Sequence, residues 1–414
     1  MLHSVRLRNF RSFVDTGEIG LGRLNVLIGP NNAGKSTLVS AIELFLRSLR
    51  SGGRQDPLVF EEMSGFASFD SVLRRHWAPG EQRPDELTLT YRWSHSSEPA
   101  ALYEFSCRGQ PQDNTSYVAK AEYEVEKERV QAIRKTVSPG RYKYEVTMGK
   151  EKFTEDRMYF NAAAPFALSG KIRASKILER SRTRVRLEII HPYRPIPRSY
   201  YVLDDPNLTQ ADRELLSFLV RTWASEEDAP NLVRKRIVST LQTLGLAQQF
   251  DVHQISKRHG PKVFEIRVAP TIRRHRVTIA DAGFGLSQAL PLAAYEARLF
   301  RGYLIAYQPE VHLHPFAQSR LADVFTKSLE RQNQIFVETH SPDLILRLQA
   351  HIARGDVNAD DVRVLCVENK KGRSEVRAMQ LDRSGSPKTP WPAGFLDTSL
   401  QLARDLTAER NKKT

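Results

Sequence analysis

The stretch of sequence that decides the fold is Asn25-Val26-Leu27-Ile28-Gly29-Pro30-Asn31-Asn32-Ala33-Gly34-Lys35-Ser36-Thr37. It has the spacing G-x-x-x-x-G-K-[ST], with a strand-like apolar run before it and a helical pattern over residues 38–46 after it. Glycines at these positions let the backbone N–H groups face phosphate, and the following helix adds its positive N-terminal end. The pattern therefore predicts a P-loop over residues 29–37 that binds a nucleoside triphosphate, with ATP as the expected ligand.

Two residues of the P-loop carry specific chemistry. Lys35 is expected to reach the β- and γ-phosphates, and the hydroxyl of Ser36 is placed to ligate Mg²⁺. A glycine turn that precedes a helix by chance is the alternative interpretation. The presence of both Lys35 and Ser36 at the required positions favours the P-loop.

Composition limits the class of protein. A chain of 414 residues with 40% apolar and 27% charged residues is expected to form two or three globular domains. No run approaches the ~18 apolar residues of a membrane helix, and the N-terminus lacks the apolar block of a signal peptide. Cys107 and Cys366 lie far apart, which indicates neither a disulfide framework nor a zinc site. We expect a cytoplasmic protein without membrane contact.

The pattern of apolar residues predicts the domain organisation. Strands and helices alternate around the P-loop, which favours an α/β P-loop NTPase with a mostly parallel sheet. Short alternating segments between residues 87 and 160 indicate a β-meander. We therefore predict an ATPase head formed by residues 1–85 and 200–355, a β-rich insertion over 86–199, and a small C-terminal domain over 356–414.

Three later segments complete the site in the sequence. The first is Asp281-Ala282-Gly283-Phe284-Gly285-Leu286-Ser287-Gln288, where glycines lead into a helix and predict a second anion site. The second is a buried strand over 303–307, which is followed by Gln308-Pro309-Glu310-Val311-His312-Leu313-His314-Pro315. The third is a buried strand over 334–338 that leads to His340.

In this order, these segments resemble the ABC-type ATPase heads of the RecF, SMC and OLD class. The resemblance implies that Ser287 and Gln288 belong to the signature motif, that residues 303–310 form the Walker B segment, and that His340 is the switch histidine. Residues 312–315 then lie where the D-loop follows. Heads of this class dimerise head to tail, so the resemblance implies a homodimer in which Ser287 covers ATP and Mg²⁺ held by the opposing P-loop.

A narrower resemblance involves the middle and the end of the chain. The matching segments are Pro192-Tyr193-Arg194-Pro195-Ile196-Pro197-Arg198-Ser199-Tyr200-Tyr201, residues 364–376, and Trp391-Pro392-Ala393-Gly394-Phe395-Leu396-Asp397. They are similar to a bacterial predicted-ATPase (AAA) family with a C-terminal domain of unknown function. That family is similar to ATPase subunits of anti-phage defence systems, which accompany a nuclease or another effector.

The Walker B segment departs from the family pattern. A Walker B strand normally ends in an acid that holds the Mg²⁺ water shell, followed by a Glu that polarises the attacking water, and the narrower family has Glu-Gln-Pro-Glu here. In this chain the run is Tyr307-Gln308-Pro309-Glu310, so neither the metal-acid position nor the catalytic-base position carries a carboxylate. A phenol with a pKa near ~10 does not replace a carboxylate at neutral pH, although glutamine can orient a water molecule. Three interpretations stay open: Glu310 supplies the acid, the protein is a slow or inactive switch, or Tyr307 was introduced to trap a nucleotide state. The candidate catalytic residues are Gln308, Glu310 and His340.

Basic residues suggest a further partner. The net charge is +14, and it includes three local clusters. These clusters are Arg173, Lys176, Arg180, Arg182, Arg184 and Arg186; Lys257, Arg258 and Lys262; and Arg273, Arg274 and Arg276. Such clusters suit sequence-independent contacts to nucleic-acid phosphates, and an evenly solvated surface is the alternative.

The sequence thus favours an ATP-binding and ATP-hydrolysing dimeric switch that controls a separate effector, with a nuclease as the leading candidate. No nuclease constellation is evident in this chain, so a nuclease would be a different polypeptide. Two alternatives remain: a catalytically weak, ATP-bound assembly scaffold, and a RecF-like DNA-repair ATPase.

Overall fold

The structure is a computed structural model of the 414-residue chain. It describes residues 1–51, 69–74, 82–94, 99–110, 115–138, 141–156, 158–161, 164–166, 185–192, 194, 197–256, 262–270, 275–392 and 395. The chain forms two compact units, of which the first contains Met1–Leu187 and Arg363–Met379. The second contains Glu188–Val362 and Gln380–Thr414.

The helices and strands are numbered in chain order. The helices are α1 (Lys35–Ser51), α2 (Phe69–Val72), α3 (Gln210–Ala224), α4 (Asp228–Thr243), α5 (Phe284–Arg298), α6 (Pro315–Leu329) and α7 (Pro342–Arg354). The strands are β1 (Leu2–Phe10), β2 (Phe13–Asp15), β3 (Ile19–Gly20), β4 (Leu24–Ile28), β5 (Glu86–Trp93), β6 (Ala101–Gln110), β7 (Thr115–Val125), β8 (Glu128–Ser138), β9 (Arg141–Met148), β10 (Glu151–Glu155), β11 (Tyr159–Asn161), β12 (Ala164–Phe166), β13 (Leu187–Ile190), β14 (Tyr201–Val202), β15 (Ala247–Gln254), β16 (Val263–Pro270), β17 (Val277–Thr278), β18 (Tyr303–Tyr307), β19 (Gln334–Glu338), β20 (Val362–Lys370) and β21 (Arg373–Met379).

The first unit contains a nine-stranded sheet with the order β10-β9-β8-β7-β6-β5-β1-β2, in which β3 also pairs with β1. Its strand pairs are antiparallel. Apolar side chains recur at every second position of β5, at Leu87, Leu89, Tyr91 and Trp93, and all four are buried. The alternation places one face of the sheet against α1, where the ring of Tyr91 stacks on Phe45 with centroids 4.1 Å apart.

The predicted α/β class is confirmed, and the structure adds two differences from the predicted organisation. Strands β5 to β10 of the predicted insertion continue the sheet that contains β1, so they belong to the same compact unit as the N-terminal part of the head. The predicted C-terminal domain is divided, because Arg363–Met379 belong to the first unit and Gln380–Thr414 to the second. The predicted β-meander is present as the antiparallel strands β5 to β10, but its pairing with β1 was not predicted, because contacts between distant segments leave no local pattern.

The second unit contains the parallel pair that organises the later motifs. Strands β18 and β19 run in parallel, with Tyr303 opposite Gln334 and Tyr307 opposite Glu338. Every residue of both strands is buried, as expected for strands covered on both faces. A separate sheet in this unit has the order β14-β16-β15, with β17 beside β16. None of the described helices is long and apolar enough to span a membrane.

A substitution at Tyr91 tests how the first unit is packed. The Tyr91 hydroxyl is buried and donates a hydrogen bond to the Ala41 carbonyl at 2.8 Å. We expect Tyr91→Phe to lower the free energy of unfolding by about 0.5–1.5 kcal/mol, because it removes this bond and leaves the ring packing in place. The matched control is Tyr142→Phe, since Tyr142 is 37% exposed. Urea denaturation of both variants measures the effect, and equal stability of the two would contradict it.

Candidate nucleotide-binding site

The P-loop connects β4 to α1 in the first unit. Its backbone has positive φ angles at Gly29 (140°), Asn32 (60°) and Gly34 (108°). A Cβ atom at Gly29 would lie 2.1 Å from the carbonyl oxygen of Val367, and one at Gly34 would lie 2.8 Å from the Ser374 hydroxyl. A side chain at either position is therefore disfavoured for two reasons. The positive φ favours glycine, and the β20–β21 hairpin leaves no space for a Cβ atom.

The residues predicted to bind phosphate adopt a suitable arrangement. Lys35 is 4% exposed, and its Nζ donates hydrogen bonds to the carbonyls of Gly29 at 3.1 Å and Pro30 at 2.8 Å. The ammonium group is thus held inside the curve of the loop, at the N-terminus of α1. Ser36 is exposed, so its hydroxyl can reach a metal ion at the surface of the loop. A triphosphate and Mg²⁺ fit this donor set, with Lys35 and Ser36 as the residues that would hold them.

The hairpin that supports the P-loop was not identified from the sequence. The hydroxyl of Ser374 donates a hydrogen bond to the Ala33 carbonyl at 2.6 Å and lies 2.7 Å from the Ser12 hydroxyl. The Ser374 N–H also donates to the Ser12 carbonyl at 2.9 Å. These hydrogen bonds link the N-terminal segment of the first unit, which contains Ser12, to its C-terminal segment, which contains Ser374, beside the P-loop. No local sequence pattern marks either serine.

In the second unit, the Walker B strand β18 ends at Tyr307 and is followed by Gln308, and neither residue carries a carboxylate. Tyr307 is 8% exposed, and its ring is parallel to that of His191, with centroids 6.0 Å apart. Gln308 follows in a left-handed conformation (φ 46°), and its N–H donates to the Glu338 carbonyl at 2.8 Å. The strand end where a carboxylate is usual thus carries a buried phenol and a partly buried amide.

A carboxylate does lie at the neighbouring strand end. Glu338 is the register partner of Tyr307 in the parallel pair, and it is 3% exposed. Side chains at paired positions of neighbouring strands share one face of a sheet, so Glu338 lies beside the position of the missing acid. Sequence reasoning missed Glu338, although an acid at the end of the apolar run 335–337 was a signal for it.

Glu310 is placed differently from a solvent-facing base. It is 7% exposed, and its Oε1 accepts a hydrogen bond from the N–H of His340 at 2.6 Å. Its second oxygen, Oε2, has no hydrogen-bond partner among the described residues. Burial raises the pKa of the Glu310 carboxyl above its usual value, and the hydrogen bond from His340 opposes this shift. Glu310 therefore anchors the turn that presents His340, whose own side chain is exposed.

The signature segment begins α5, with Gly283 (φ 96°) as the residue before the helix. A Cβ atom at Gly285 would lie 2.9 Å from the His312 carbonyl, so the predicted D-loop packs directly against this segment. The Ser287 hydroxyl donates to the Phe284 carbonyl at 2.7 Å, and Ser287 and Gln288 are 6% and 2% exposed. The N-terminus of α5 therefore offers the backbone N–H groups near Gly285. The side chain of Ser287 is buried one turn further along the helix.

The histidines of the predicted D-loop have structural contacts. His314 precedes α6, and its Nδ1 accepts a hydrogen bond from the Phe316 N–H at 3.3 Å. The His312 ring packs edge-on against Phe284, with centroids 4.8 Å apart. Among the described residues, no group of three or more His, Cys, Asp or Glu side chains is arranged to hold a metal ion.

Most of the predicted basic clusters lie outside the described residues. This applies to Arg173, Lys176, Arg180, Arg182, Arg184, Lys257, Arg258, Arg273 and Arg274. Of the remaining cluster members, Arg276 donates to the Gln249 side chain at 3.1 Å and 3.2 Å. Binding of nucleic acid by these clusters stays a prediction from the sequence.

Comparison with known proteins decides the family. The sequence model of the AAA ATPase domain matches residues 1–132 and 211–345, which together are more than half of the chain. The chain belongs to the AAA ATPase domain family. The matched ranges contain the P-loop, the signature segment, the Walker B strand and His340, so a nucleotide is the ligand that family membership implies.

Two similar proteins extend this result. An ATP/GTP phosphatase of Helicobacter pylori is 48% identical over 42 residues, which are 10% of this chain and 11% of that protein. An OLD nuclease of Thermus scotoductus is 23% identical over 359 residues, which are 83% of this chain and 59% of that protein. The chain thus spans less than two thirds of the length of each. The family match and the OLD nuclease match confirm the resemblance to ATPase heads of that class.

The solved structures that match this chain include SMC heads. An SMC head bound to the C-winged helix domain of ScpA has 14% sequence identity and a TM-score of 0.49, with 92% of this chain and 98% of that chain covered. The SMC head domain from Thermotoga maritima has 12% identity and a TM-score of 0.44, with 92% of this chain and 99% of that chain covered.

The close approach at Gly29 generates a prediction for nucleotide binding. We expect Gly29→Ala to weaken binding of a fluorescent ATP analogue by more than about tenfold, or ~1.4 kcal/mol. The reason is that the new methyl group would meet the Val367 carbonyl and push the loop out of shape. Gly20→Ala is the control, because a Cβ atom there meets nothing within 4 Å. Unchanged affinity in Gly29→Ala would contradict the role of this contact.

The buried carboxyl of Glu310 generates a prediction for pH. Because its pKa is raised in the folded state, the folded protein binds the extra proton, and stability falls as pH rises through that pKa. In the wild type, melting temperature should therefore fall with rising pH above the usual carboxyl range. We expect this fall to be smaller in Glu310→Gln. Glu145→Gln, at an exposed position, is the control. A wild-type slope that persists in Glu310→Gln would show that another group causes it.

Proposed function

We propose that this protein is an ATP-binding, slowly ATP-hydrolysing switch that dimerises through its heads and controls a separate effector. The observation that carries the proposal is the P-loop itself. Its two glycines are held in positive-φ conformations, the Lys35 ammonium lies inside the loop, and the Ser36 hydroxyl is exposed beside it. This donor set suits a triphosphate with Mg²⁺.

The proposed slow turnover of ATP is explained by the residues at the end of β18 in the second unit. Tyr307 and Gln308 leave the end of β18 without a carboxylate, so the usual metal acid and general base are missing there. In this proposal Glu338, the register partner of Tyr307, supplies the carboxylate that Tyr307 lacks. Gln308 orients the attacking water without removing its proton, which supports a low rate. His340 senses the γ-phosphate, and Glu310 holds the turn that presents it.

The partners come from the resemblance of the motifs. Head-to-tail pairing would place α5 of one subunit over the P-loop of the other, with the N-terminal N–H groups of α5 facing the γ-phosphate. A prokaryotic anti-phage defence system with a separate nuclease is the proposed context. The similarity to an OLD nuclease and the net charge of +14 support a role close to nucleic acid.

One observation favours a second candidate function. Tyr307 is buried and stacked on His191, so the substitution is well accommodated by its surroundings. A site that has adapted to a tyrosine fits an ATP-bound assembly scaffold, in which nucleotide stabilises a complex and is not turned over.

Steady-state turnover and nucleotide-dependent mass distinguish these functions. We expect wild-type protein to hydrolyse ATP slowly and to dimerise with ATP, and Lys35→Ala to lose both properties because it removes the phosphate-binding ammonium. Glu338→Gln should keep ATP-dependent dimerisation and lose most of the turnover, because the carboxylate is replaced by an amide of similar size. Glu375→Gln, at an exposed position of β21, is the control.

Dimerisation without any turnover in the wild type would favour the scaffold. Full turnover in Glu338→Gln would exclude Glu338 as the replacement acid. No effect of ATP on mass or turnover would overturn the switch mechanism as a whole.

A further inference from the structure

Arg194 joins the signature helix α5 to the residues that follow β18. Its side chain lies in the second unit and donates hydrogen bonds only to backbone carbonyls among the described contacts. The acceptors are the carbonyl oxygens of His191 (from Nε, 3.2 Å), Gln288 (from Nη1, 2.7 Å), Gln308 (from Nη2, 3.0 Å) and Pro309 (from Nη1, 3.4 Å). We call residues 308–311 the Walker B turn. One guanidinium group therefore binds α5 and the Walker B turn simultaneously.

Both acceptor segments have backbones that benefit from an added donor. Pro291 lies inside α5 and has no N–H, so it cannot donate the helix hydrogen bond to the carbonyl of Ser287, the residue next to Gln288. Gln308 has a left-handed φ of 46°, a conformation that costs free energy in a residue other than glycine. Arg194 supplies fixed donors at both places, and its planar fork suits several carbonyls at once.

The surroundings of Arg194 strengthen its hydrogen bonds to the backbone carbonyls. Burial lowers the pKa of Arg194 to about 10, and the negative charge of Glu310 opposes that shift, so the guanidinium is positively charged at neutral pH. Hydrogen bonds from a charged donor are stronger than those between neutral groups, particularly where water is excluded. A lysine at this position keeps the charge, but its single nitrogen cannot reproduce the planar arrangement of four donor contacts.

We propose that Arg194 is a positioning residue that fixes the signature helix to the Walker B turn, so that both respond together when the heads close on ATP. The inference rests on the proposed function, because Gln308 is the water-orienting residue and α5 is the surface that meets the opposing nucleotide. Arg194 acts through backbone carbonyls and leaves phosphate binding to the P-loop.

Arg331 provides a matched control within the same unit. It too is a partly buried arginine whose pKa burial lowers to about 10, and it donates to the Glu296 carbonyl of the same helix at 3.2 Å. It also pairs with the Glu296 carboxylate. Its contacts lie at the far end of α5, away from the signature segment. Arg331→Lys therefore controls for the general cost of replacing a buried arginine that binds α5.

The first measurement is amide hydrogen exchange without nucleotide, for wild type, Arg194→Lys and Arg331→Lys. If Arg194 fixes the two segments, Arg194→Lys raises exchange both in residues 286–292 and in residues 308–313, while Arg331→Lys leaves residues 308–313 unchanged. Unchanged exchange in either segment of Arg194→Lys would overturn the proposal. This measurement does not depend on ATP turnover.

The second measurement separates positioning from folding. We expect Arg194→Lys to bind a fluorescent ATP analogue within about threefold of wild type and to lose about 10- to 100-fold in kcat, the range for a displaced reacting group. Arg331→Lys should lower the melting temperature by a similar amount and keep kcat. A kcat of Arg194→Lys equal to that of Arg331→Lys would overturn the proposal.

The two measurements also separate this inference from the proposed function. If wild-type protein shows no Lys35-dependent turnover or dimerisation, the proposed function fails, and hydrogen exchange alone still decides whether Arg194 fixes the two segments. If wild-type protein turns over ATP and Arg194→Lys does so equally well, the proposed function stands and the inference about Arg194 fails.

Discussion

The parallel pairing of β18 with β19 is the constraint on which the second unit's candidate site depends. Its register sets Tyr307 opposite Glu338, and the next N–H along the chain, that of Gln308, donates to the Glu338 carbonyl. The same pairing brings the turn after β18 close enough for Glu310 to accept the N–H of His340. A shift by one residue would move each of these side chains to the opposite face of the sheet.

The P-loop shows a comparable dependence within the first unit. The loop sequence supplies the glycines and Lys35, but its shape is also set by the β20–β21 hairpin, which comes from the far end of the sequence. The Val367 carbonyl leaves no room for a side chain at Gly29, and the Ser374 hydroxyl binds the Ala33 carbonyl. A backbone held by such contacts needs little reorganisation when phosphate binds, which is how a preformed anion site gains affinity.

Burial limits which side chains near the end of β18 can act as an acid or a base. Tyr307 cannot act as a carboxylate, and Glu310 is buried with a raised pKa and holds backbone. The polar side chains next to Tyr307 are those of Glu338, across the strand pair, and Gln308, the following residue. The family relationship supports nucleotide binding, and the proposed slow hydrolysis assigns the roles of the usual pair of acids to these two residues.

The sequence by itself determined the P-loop, the α/β class, the order of the later motifs and the departure at Tyr307, because each of these is a local pattern with its own spacing. It did not determine that Glu338 lies opposite Tyr307, since that position depends on which residues meet across a strand pair. It also did not reveal Ser374 or Arg194, whose partners lie up to 362 and 115 residues away along the chain. Tertiary structure alone decided these contacts, because hydrogen bonds between distant segments are set by strand register and packing and leave no periodic signal in either segment.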